Sequence, residues 1–258
     1  MNIDNKTISV VINTYNAEEH LREVLDAVKG FDEIVVCDME STDSTTDIAR
    51  RYGCKIVTFP KAGHKSAEPA RTFAIQSASS EWVLVVDADE IISDALREYL
   101  YDRIADKDCP QGLFIPRQGM FMSQMMHLSY PDYQLRFFVR EGTVWPPYVH
   151  TFPVVKGRVE KIPRRRRDLA MLHLANDTVH SILHKTNEYT DNEAIKKAAK
   201  NYGLAALLYR PAFRFFKSYI LKGAWRDGKA GLIKAALNSF YQFVVVAKMM
   251  ENKRNSQN

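Results

Sequence analysis

The hydrophobic period of this chain switches repeatedly between two and 3.6 residues over its first ninety positions, and that alternation restricts the fold more than any other feature. Ile8-Ser-Val-Val-Ile12 is a short β-branched run. Leu21, Val24, Leu25 and Val28 then recur at helical spacing, and Glu33-Ile-Val-Val-Cys-Asp38 returns to strand character. Ser41 to Ser44 offer N-caps for a helix of about two turns. Gly53 is a natural stop for it, and Lys55-Ile-Val-Thr-Phe59 reads as a third strand. A helix-compatible stretch near Glu68–Ala78, a fourth buried strand at Glu81-Trp-Val-Leu-Val-Val86 and a helix capped by Ser93 and running to about Ala105 complete the series. Strands that alternate with helices in this way predict a parallel, doubly wound sheet.

After Pro110 the pattern changes to short strand-like pieces, Leu113–Ile115, Gln134–Val139, Val154-Val155 and Met171–Leu174, so the α/β core continues into a mixed or antiparallel part. From about Val179 the chain reads as helical segments punctuated by Gly203, Pro211, Gly223 and Gly228. We therefore expect an α/β domain over 1–176, divided into a first half at 1–110 and a second at 111–176, followed by a helical extension at 177–258.

Charge follows the same division. Residues 1–160 carry 17 Lys and Arg against 24 Asp and Glu, whereas 161–258 carry 19 against 7. Cys37, Cys54 and Cys109 show no CxxC or Cys/His spacing, which disfavours a disulfide framework or structural zinc and fits a reducing, cytoplasmic setting. The N-terminus has no signal-peptide pattern, and the longest uncharged apolar-rich stretch, between Lys234 and Lys248, is shorter than the roughly 20 residues of a spanning helix. The run Arg164–Arg167 has no nucleic-acid recognition motif around it and reads as a solvated loop, so no nucleic-acid partner is expected. In 210–243, by contrast, Phe, Tyr and Trp are interleaved with Arg and Lys, a composition suited to a helix in the interface of an anionic bilayer or to aromatic packing on the main domain.

Ligands of open parallel sheets bind beyond the carboxyl ends of the strands. Here those positions are Asn13-Thr-Tyr-Asn16, Asp38 to Asp43, Pro60 to His64 and Asp87-Ala-Asp-Glu90, all polar. Asp87 and Asp89, one residue apart after a buried strand, repel each other unless a cation lies beside them. Hard oxygen ligands suit Mg²⁺ or Mn²⁺, and diphosphates are the natural co-ligands.

Val10–Asn16, Glu33–Asp43 and Trp82–Glu90 resemble the nucleotide-binding half of the family 2 inverting glycosyltransferases. Tyr130-Pro-Asp-Tyr-Gln-Leu-Arg-Phe-Phe138, the Val149-His150 pair and the tail around Arg214, Tyr219, Gly223 and Asp227-Gly228 resemble its lipopolysaccharide-core branch. The resemblance implies the GT-A fold, a Rossmann-like α/β nucleotide-binding sheet, here with a mixed-sheet acceptor half and a helical extension. It also implies transfer of a sugar from a nucleotide-sugar, commonly UDP-linked, to a cell-envelope glycolipid or glycan at the cytoplasmic face of the inner membrane. Residue by residue, it implies that Asp38, Thr14 and Asn16 line the base pocket and that Arg71 reaches base or diphosphate. Asp87 would contact the ribose or a metal-bound water, and Asp89 would bind the divalent cation. Asp132 is the expected general base for the acceptor hydroxyl.

His150 would complete the metal shell, touch the diphosphate, or simply cap a turn. Gln134 and Arg136 share a strand face with Asp132 and would read acceptor or pyrophosphate, an ion pair being the alternative for Arg136. Three positions depart from the family pattern: Glu40 where Gly is usual, Thr72 where Asn is usual, and Thr151 where this branch commonly has Glu. Glu40 and Thr151 leave open a binding protein at the membrane surface that keeps the nucleotide fold without turnover. A sugar nucleotidyltransferase would need a Gly-rich, basic loop after the first strand, which Asn13–Asn16 lacks. A haloacid-dehalogenase phosphatase would carry its DxD after the first strand of the core.

Overall fold

A computed structural model describes residues 6–64, 66–148 and 151–255. The first half alternates as its periodicity requires: β1 (Ile8–Thr14), α1 (Leu21–Ala27), β2 (Glu33–Asp38), α2 (Thr45–Arg51), β3 (Lys55–Thr58), α3 (Glu68–Gln76), β4 (Trp82–Asp87), β5 (Glu90–Ile91) and α4 (Asp94–Ala105). Gly53 ends the α2 turn at φ +71°, a left-handed conformation that side chains disfavour. Ser93 caps α4 by accepting the Leu96 amide at 3.1 Å.

The next strands are β6 (Gly112–Phe121), β7 (Gln124–Met125), β8 (Asp132–Val139), β9 (Val159–Lys161) and β10 (Met171–Asp177). They share one sheet with the first five, in the order β3-β2-β1-β4-β8-β6-β10-β5, with β7 and β9 paired to β6. β1 pairs in parallel with β2 and β4, β2 in parallel with β3, and β8 runs antiparallel to both β4 and β6. The strand expected at Val154-Val155 is an isolated bridge, Val144 to Val154; the strand on that part of β6 is Val159–Lys161, whose Glu and Lys dilute its apolar signal.

Alternation along the central strands builds a core on each face of the sheet. Ile8, Val10 and Ile12 of β1 join Trp82, Leu84 and Val86 of β4 and the apolar sides of α1 and α4 on one face. Val11, Val83, Val85, Val35 and Cys37 meet Ala70, Ala74 and Ile75 of α3 on the other. Burial pushes the Cys37 thiol up to about 12, which makes it a small apolar group rather than a nucleophile.

Two compact units emerge, one of Met1–Gln118 with Pro131–Leu174, the other of Gly119–Tyr130 with Ala175–Asn258. The expected division at 176/177 did not foresee that the β6–β7 tip, 119–130, clusters with the C-terminal segment. In that second unit lie α5 (Val179–Lys196), α6 (Ala206–Phe216) and α7 (Gly228–Asn255), with a π-turn at Lys217–Leu221 and a 3-10 turn at Ala224–Asp227. Pro211 sits inside α6 instead of interrupting it. Gly231 admits the Ala224 carbonyl so closely that a Cβ there would lie 1.8 Å from its oxygen. The buried Asp227 carboxylate accepts the His127 and Leu128 amides at 2.8 and 3.0 Å and contacts His127 Nδ1 at 2.7 Å, tying the tip to the helices.

By length and composition the helix Ala224–Arg254 is apolar enough to cross a membrane, which the short uncharged stretch in the sequence did not suggest. In this fold Val245 and Met249 pack with Ala194 of α5. The interior lysines Lys234 and Lys248 donate to Asp177 and Asp191, so α7 is one member of a helical layer.

Candidate functional site

The carboxyl ends of β1 and β4 open into a cleft of about 410 Å³ within the first unit. Asn13, Tyr15, Asn16, Glu19, His20, Arg71, Asp87, Asp89 and His173 supply its polar and aromatic lining. The parallel register explains the convergence, since Asn13 lies opposite Asp87 across β1 and β4, and Thr14 opposite Asp38 across β1 and β2.

The two aspartates after β4 have different surroundings. Asp87 is gripped by two arginines: Arg71 Nη2 donates to Oδ1 at 2.8 Å and Arg136 Nη2 donates to Oδ2. Burial opposes its ionisation, but the charges of Arg136 and Arg71 outweigh that cost and hold the carboxyl far below the usual carboxylate range. Glu90 is fully buried beneath it, accepting the Asp87 amide at 2.9 Å, Arg117 Nη1 at 2.9 Å and Arg136 Nη2 at 3.2 Å. Arg117 continues to Asp132 Oδ2 through Nε at 3.0 Å and Nη2 at 2.7 Å. Three carboxylates and three guanidiniums thus alternate in one charge-balanced network, the condition under which buried charges are tolerated. Trp145 stacks against it, its ring 4.5 Å from the Arg71 guanidinium carbon and 5.7 Å from that of Arg136.

Asp89 stands apart from that network. Its Oδ2 lies 3.3 Å from His173 Nε2, and both side chains line the cleft. The pairing arises because β10 runs antiparallel to β5, placing His173 opposite Glu90, while the Leu174 amide donates to the Asp89 carbonyl at 2.8 Å. Burial pulls the His173 imidazole pKa down, yet the hydrogen bond to Asp89 and its charge leave it above the ordinary value.

Asp89 and His173 fit a divalent cation as two protein donors, a hard oxygen and an imidazole nitrogen, on the wall of a cleft wide enough for diphosphate oxygens to complete the shell. Among the described residues no cluster of three His, Cys, Asp or Glu side chains could hold a metal on its own. With both Asp87 oxygens committed to arginines, Asp89 is the freer of the pair.

The remaining expected residues fall in three places. Asn16 and Arg71 line the cleft with Asp87 and Asp89. Thr14 and Asp38 are buried beside it, and the Asp38 carboxylate accepts Thr14 Oγ1 at 2.9 Å, the Ser41 amide at 2.9 Å and Ser41 Oγ at 2.6 Å. Asp132 and Gln134 lie along β8, linked by a 3.1 Å hydrogen bond from Gln134 Nε2 to Asp132 Oδ1. Arg136 is buried, paired with Asp87 and Glu90, and is not part of the cleft lining. His150 lies outside the described residues.

The departures from the family pattern are accommodated locally. Glu40 adopts φ +62°, the conformation for which Gly is preferred, and its carboxylate accepts the Lys61 amide at 3.0 Å. Thr72 Oγ1 donates to the Trp145 carbonyl and accepts its amide, both at 3.0 Å, so it holds the ring that backs Arg71. Thr151 Oγ1 donates to the Tyr148 carbonyl at 2.6 Å. His173, Glu90, Arg117 and Trp145 were given no role by sequence reasoning. The one usable hint was the position of His173 in an alternating strand, Met171-Leu-His-Leu174.

A Rossmann-like sheet with a paired-aspartate turn over a polar cleft defines a nucleotide-sugar-type GT-A architecture. The family model for glycosyl transferase family 2 matches residues 9–161, more than half of the chain, and the chain belongs to that family. An uncharacterized glycosyltransferase of Rickettsia typhi is 26% identical over 98% of this chain and 90% of its own length. The lipopolysaccharide core biosynthesis glycosyltransferase LpsC of Rhizobium meliloti is 25% identical over 95% of this chain and 92% of its own. Among solved structures, the mannosyltransferase PcManGT from Pyrobaculum calidifontis, in complex with GDP-Man and Mn²⁺, superposes with a TM-score of 0.56 at 15% identity, covering 97% of this chain and 89% of that one. At that identity the likeness concerns the fold. The chain is a glycosyltransferase.

Proposed function

We propose that this enzyme transfers one sugar, with inversion, from a nucleoside-diphosphate sugar to a hydroxyl of a cell-envelope glycolipid or glycan such as lipopolysaccharide core. UDP is the expected nucleotide, following the family resemblance. The observation that carries the reading is the division of labour after β4, where Asp87 is locked by Arg71 and Arg136 while Asp89 pairs with His173 on the cleft wall. The full-length similarity to LpsC, named for lipopolysaccharide core biosynthesis, supports the acceptor class. An acceptor of that kind would place the enzyme at the cytoplasmic face of the inner membrane, in peripheral contact with anionic lipid.

Asp89 and His173 would hold a divalent cation, Mg²⁺ or Mn²⁺, together with the donor diphosphate. A cation bound there would neutralise the charge of the departing nucleoside diphosphate. Asn16 and Tyr15 line the base end, and Asp38, with three of its roughly four lone-pair positions already used, keeps that loop in shape and offers the last to the base. Arg71 keeps a buried Nε and Nη1 with no partner among the described residues, and so does the Asn13 amide. These groups are suited to phosphate or ribose oxygens.

The acceptor oxygen would attack the anomeric carbon as the bond to the diphosphate oxygen breaks, its proton passing to Asp132. Arg117 holds Asp132 Oδ2, which leaves Oδ1, oriented by Gln134, to take that proton.

The test is turnover of a UDP-sugar panel with lipid-linked or lipopolysaccharide-core acceptors, read as nucleoside diphosphate release and as the anomeric configuration of the product by NMR. Metal-dependent release with an inverted product is the expected result. Donor binding without release under all acceptors would replace the reading with that of a nucleotide-sugar-binding protein.

A further inference from the structure

The second unit carries a surface that the transfer reaction does not use. Leu208, Phe213, Phe216, Ile220, Leu221 and Trp225 are between 48 and 76% exposed, the first five on α6 and the π-turn that continues it, and Trp225 on the 3-10 turn beyond the left-handed Gly223. Leu208, Phe216 and Ile220 fall at multiples of four residues, and Phe213 and Leu221 eight apart, so these five form two adjoining rows along one helical side, with Trp225 past the turn at Gly223. Exposed apolar side chains occur singly on most proteins, and a contiguous band of this size marks a contact surface.

The charge around the band is mainly positive, Glu193 of α5 being the acidic group that acts on Arg210. Between Ala194 and Met250 the only acidic residue is Asp227, which is buried and occupied by His127 and Leu128. Lys217, Arg226 and Lys229 are exposed beside the apolar rows, with the Arg226 guanidinium 5.2 Å from the Trp225 ring centre. A groove of about 250 Å³ opens in the same face, lined by Tyr209, Arg210, Phe213, Arg214, Lys217 and Gln242. Arg210 is oriented by Tyr202 and Gln242 at 3.0 and 2.8 Å, while the buried Nε atoms of Arg210 and Arg214 have no hydrogen-bond partner among the described residues.

We infer that this face docks into the surface of an anionic phospholipid bilayer, its aromatic and aliphatic rows entering the headgroup boundary and the Arg210–Arg214–Lys217 groove receiving a lipid phosphate. Interfacial helices combine this kind of apolar face with Lys and Arg along its border. Each basic side chain near an anionic leaflet adds attraction. A second copy of the chain is a poor occupant, because a two-fold contact would set this positive face against itself. The inference rests on the proposed function only in that a membrane-borne acceptor gives the surface its use.

The test is co-sedimentation of the full chain with phosphatidylcholine vesicles, with and without about a third phosphatidylglycerol. The chain should bind the anionic vesicles and be released by salt. Trp225 reports insertion, because Trp82 and Trp145, the other two tryptophans, are buried; its emission should shift to the blue on binding. The triple variant Phe213→Ser, Phe216→Ser, Ile220→Ser alters only exposed side chains and should bind at least about tenfold more weakly. Arg214→Glu with Lys217→Glu should abolish the preference for anionic lipid. Turnover of donor in solution should be unchanged in both variants. Wild-type protein that stays in the supernatant, a triple variant that binds as well as wild type, or a dimer that the triple variant abolishes would each overturn the inference. Vesicle binding without turnover would refute the proposed function and leave this surface standing.

Discussion

The arginines of the two units are placed in opposite ways. In the sheet unit Arg71, Arg117 and Arg136 are each matched to carboxylates, and the network they form with Asp87, Glu90 and Asp132 is largely buried and neutral. In the helical unit Arg210 and Arg226 meet tyrosine, tryptophan and amide groups, and acidic partners are nearly absent from the surrounding sequence. A neutral, interlocked network fixes its charged groups before any substrate arrives, which avoids reorganisation if they serve the proposed reaction. A face with an excess of positive charge, even where Tyr202 and Gln242 orient Arg210, attracts a dense layer of anions. The difference separates chemistry from location, and variants in the two regions should therefore fail in different assays.

The largest effect is expected from Asp89→Ala, which removes the hard-oxygen donor. Loss of several kcal/mol of charge stabilisation corresponds to a fall in turnover of about a thousandfold or more, measured as nucleoside diphosphate release, with an unchanged far-UV spectrum. Arg136→Met should act on the fold instead: it leaves Asp87 and Glu90 without a shared buried cation and should cost about 3–5 kcal/mol in denaturant unfolding. Asp132→Asn should spare donor affinity and lower transfer by about 10²–10³-fold, so retained turnover would remove Asp132 as the base. His173→Ala should weaken the apparent Mn²⁺ affinity by about 10–100-fold, read by titrating metal into the donor-binding assay. The smallest effect belongs to Glu40→Gly, which relieves a left-handed non-glycine residue at the expense of one exposed hydrogen bond. It should raise stability by about 0.5 kcal/mol without altering turnover.

Much of this arrangement was legible in the residues. The period switching gave β1 to β4 and the helices between them, and the polar strand ends placed Asn16, Asp87 and Asp89 at one rim, because parallel strands in register must deliver their carboxyl ends to the same side. What the sequence hid depends on contacts between distant segments. His173 reaches Asp89 only through the pairing of β10 with a two-residue strand, β5, too short to show a period. Glu90 looked like one more polar turn residue, and only its burial under Arg117 and Arg136 shows it to be the anchor of the network. The Arg136 reading left a substrate contact and an ion pair as alternatives, because strand alternation gives a face and not a partner; in this fold Arg136 pairs with Asp87. The clustering of 119–130 with the C-terminal helices was invisible for the same reason, since it depends on Asp227 capping amides about a hundred residues away.

We propose that Asp89 binds metal together with a nucleoside diphosphate while Asp87 serves the arginine network. The most direct test is a thermal-shift panel of UDP, GDP, CMP and dTDP, each with and without Mn²⁺, on wild type and Asp89→Ala. A native-state ligand at a hundredfold excess over its dissociation constant stabilises by about 2.7 kcal/mol, a readily visible shift. Wild type should shift with one nucleoside diphosphate only in the presence of Mn²⁺, and Asp89→Ala should lose that shift. The same metal-dependent shift in both proteins, or none with any nucleotide in wild type, would contradict the proposal.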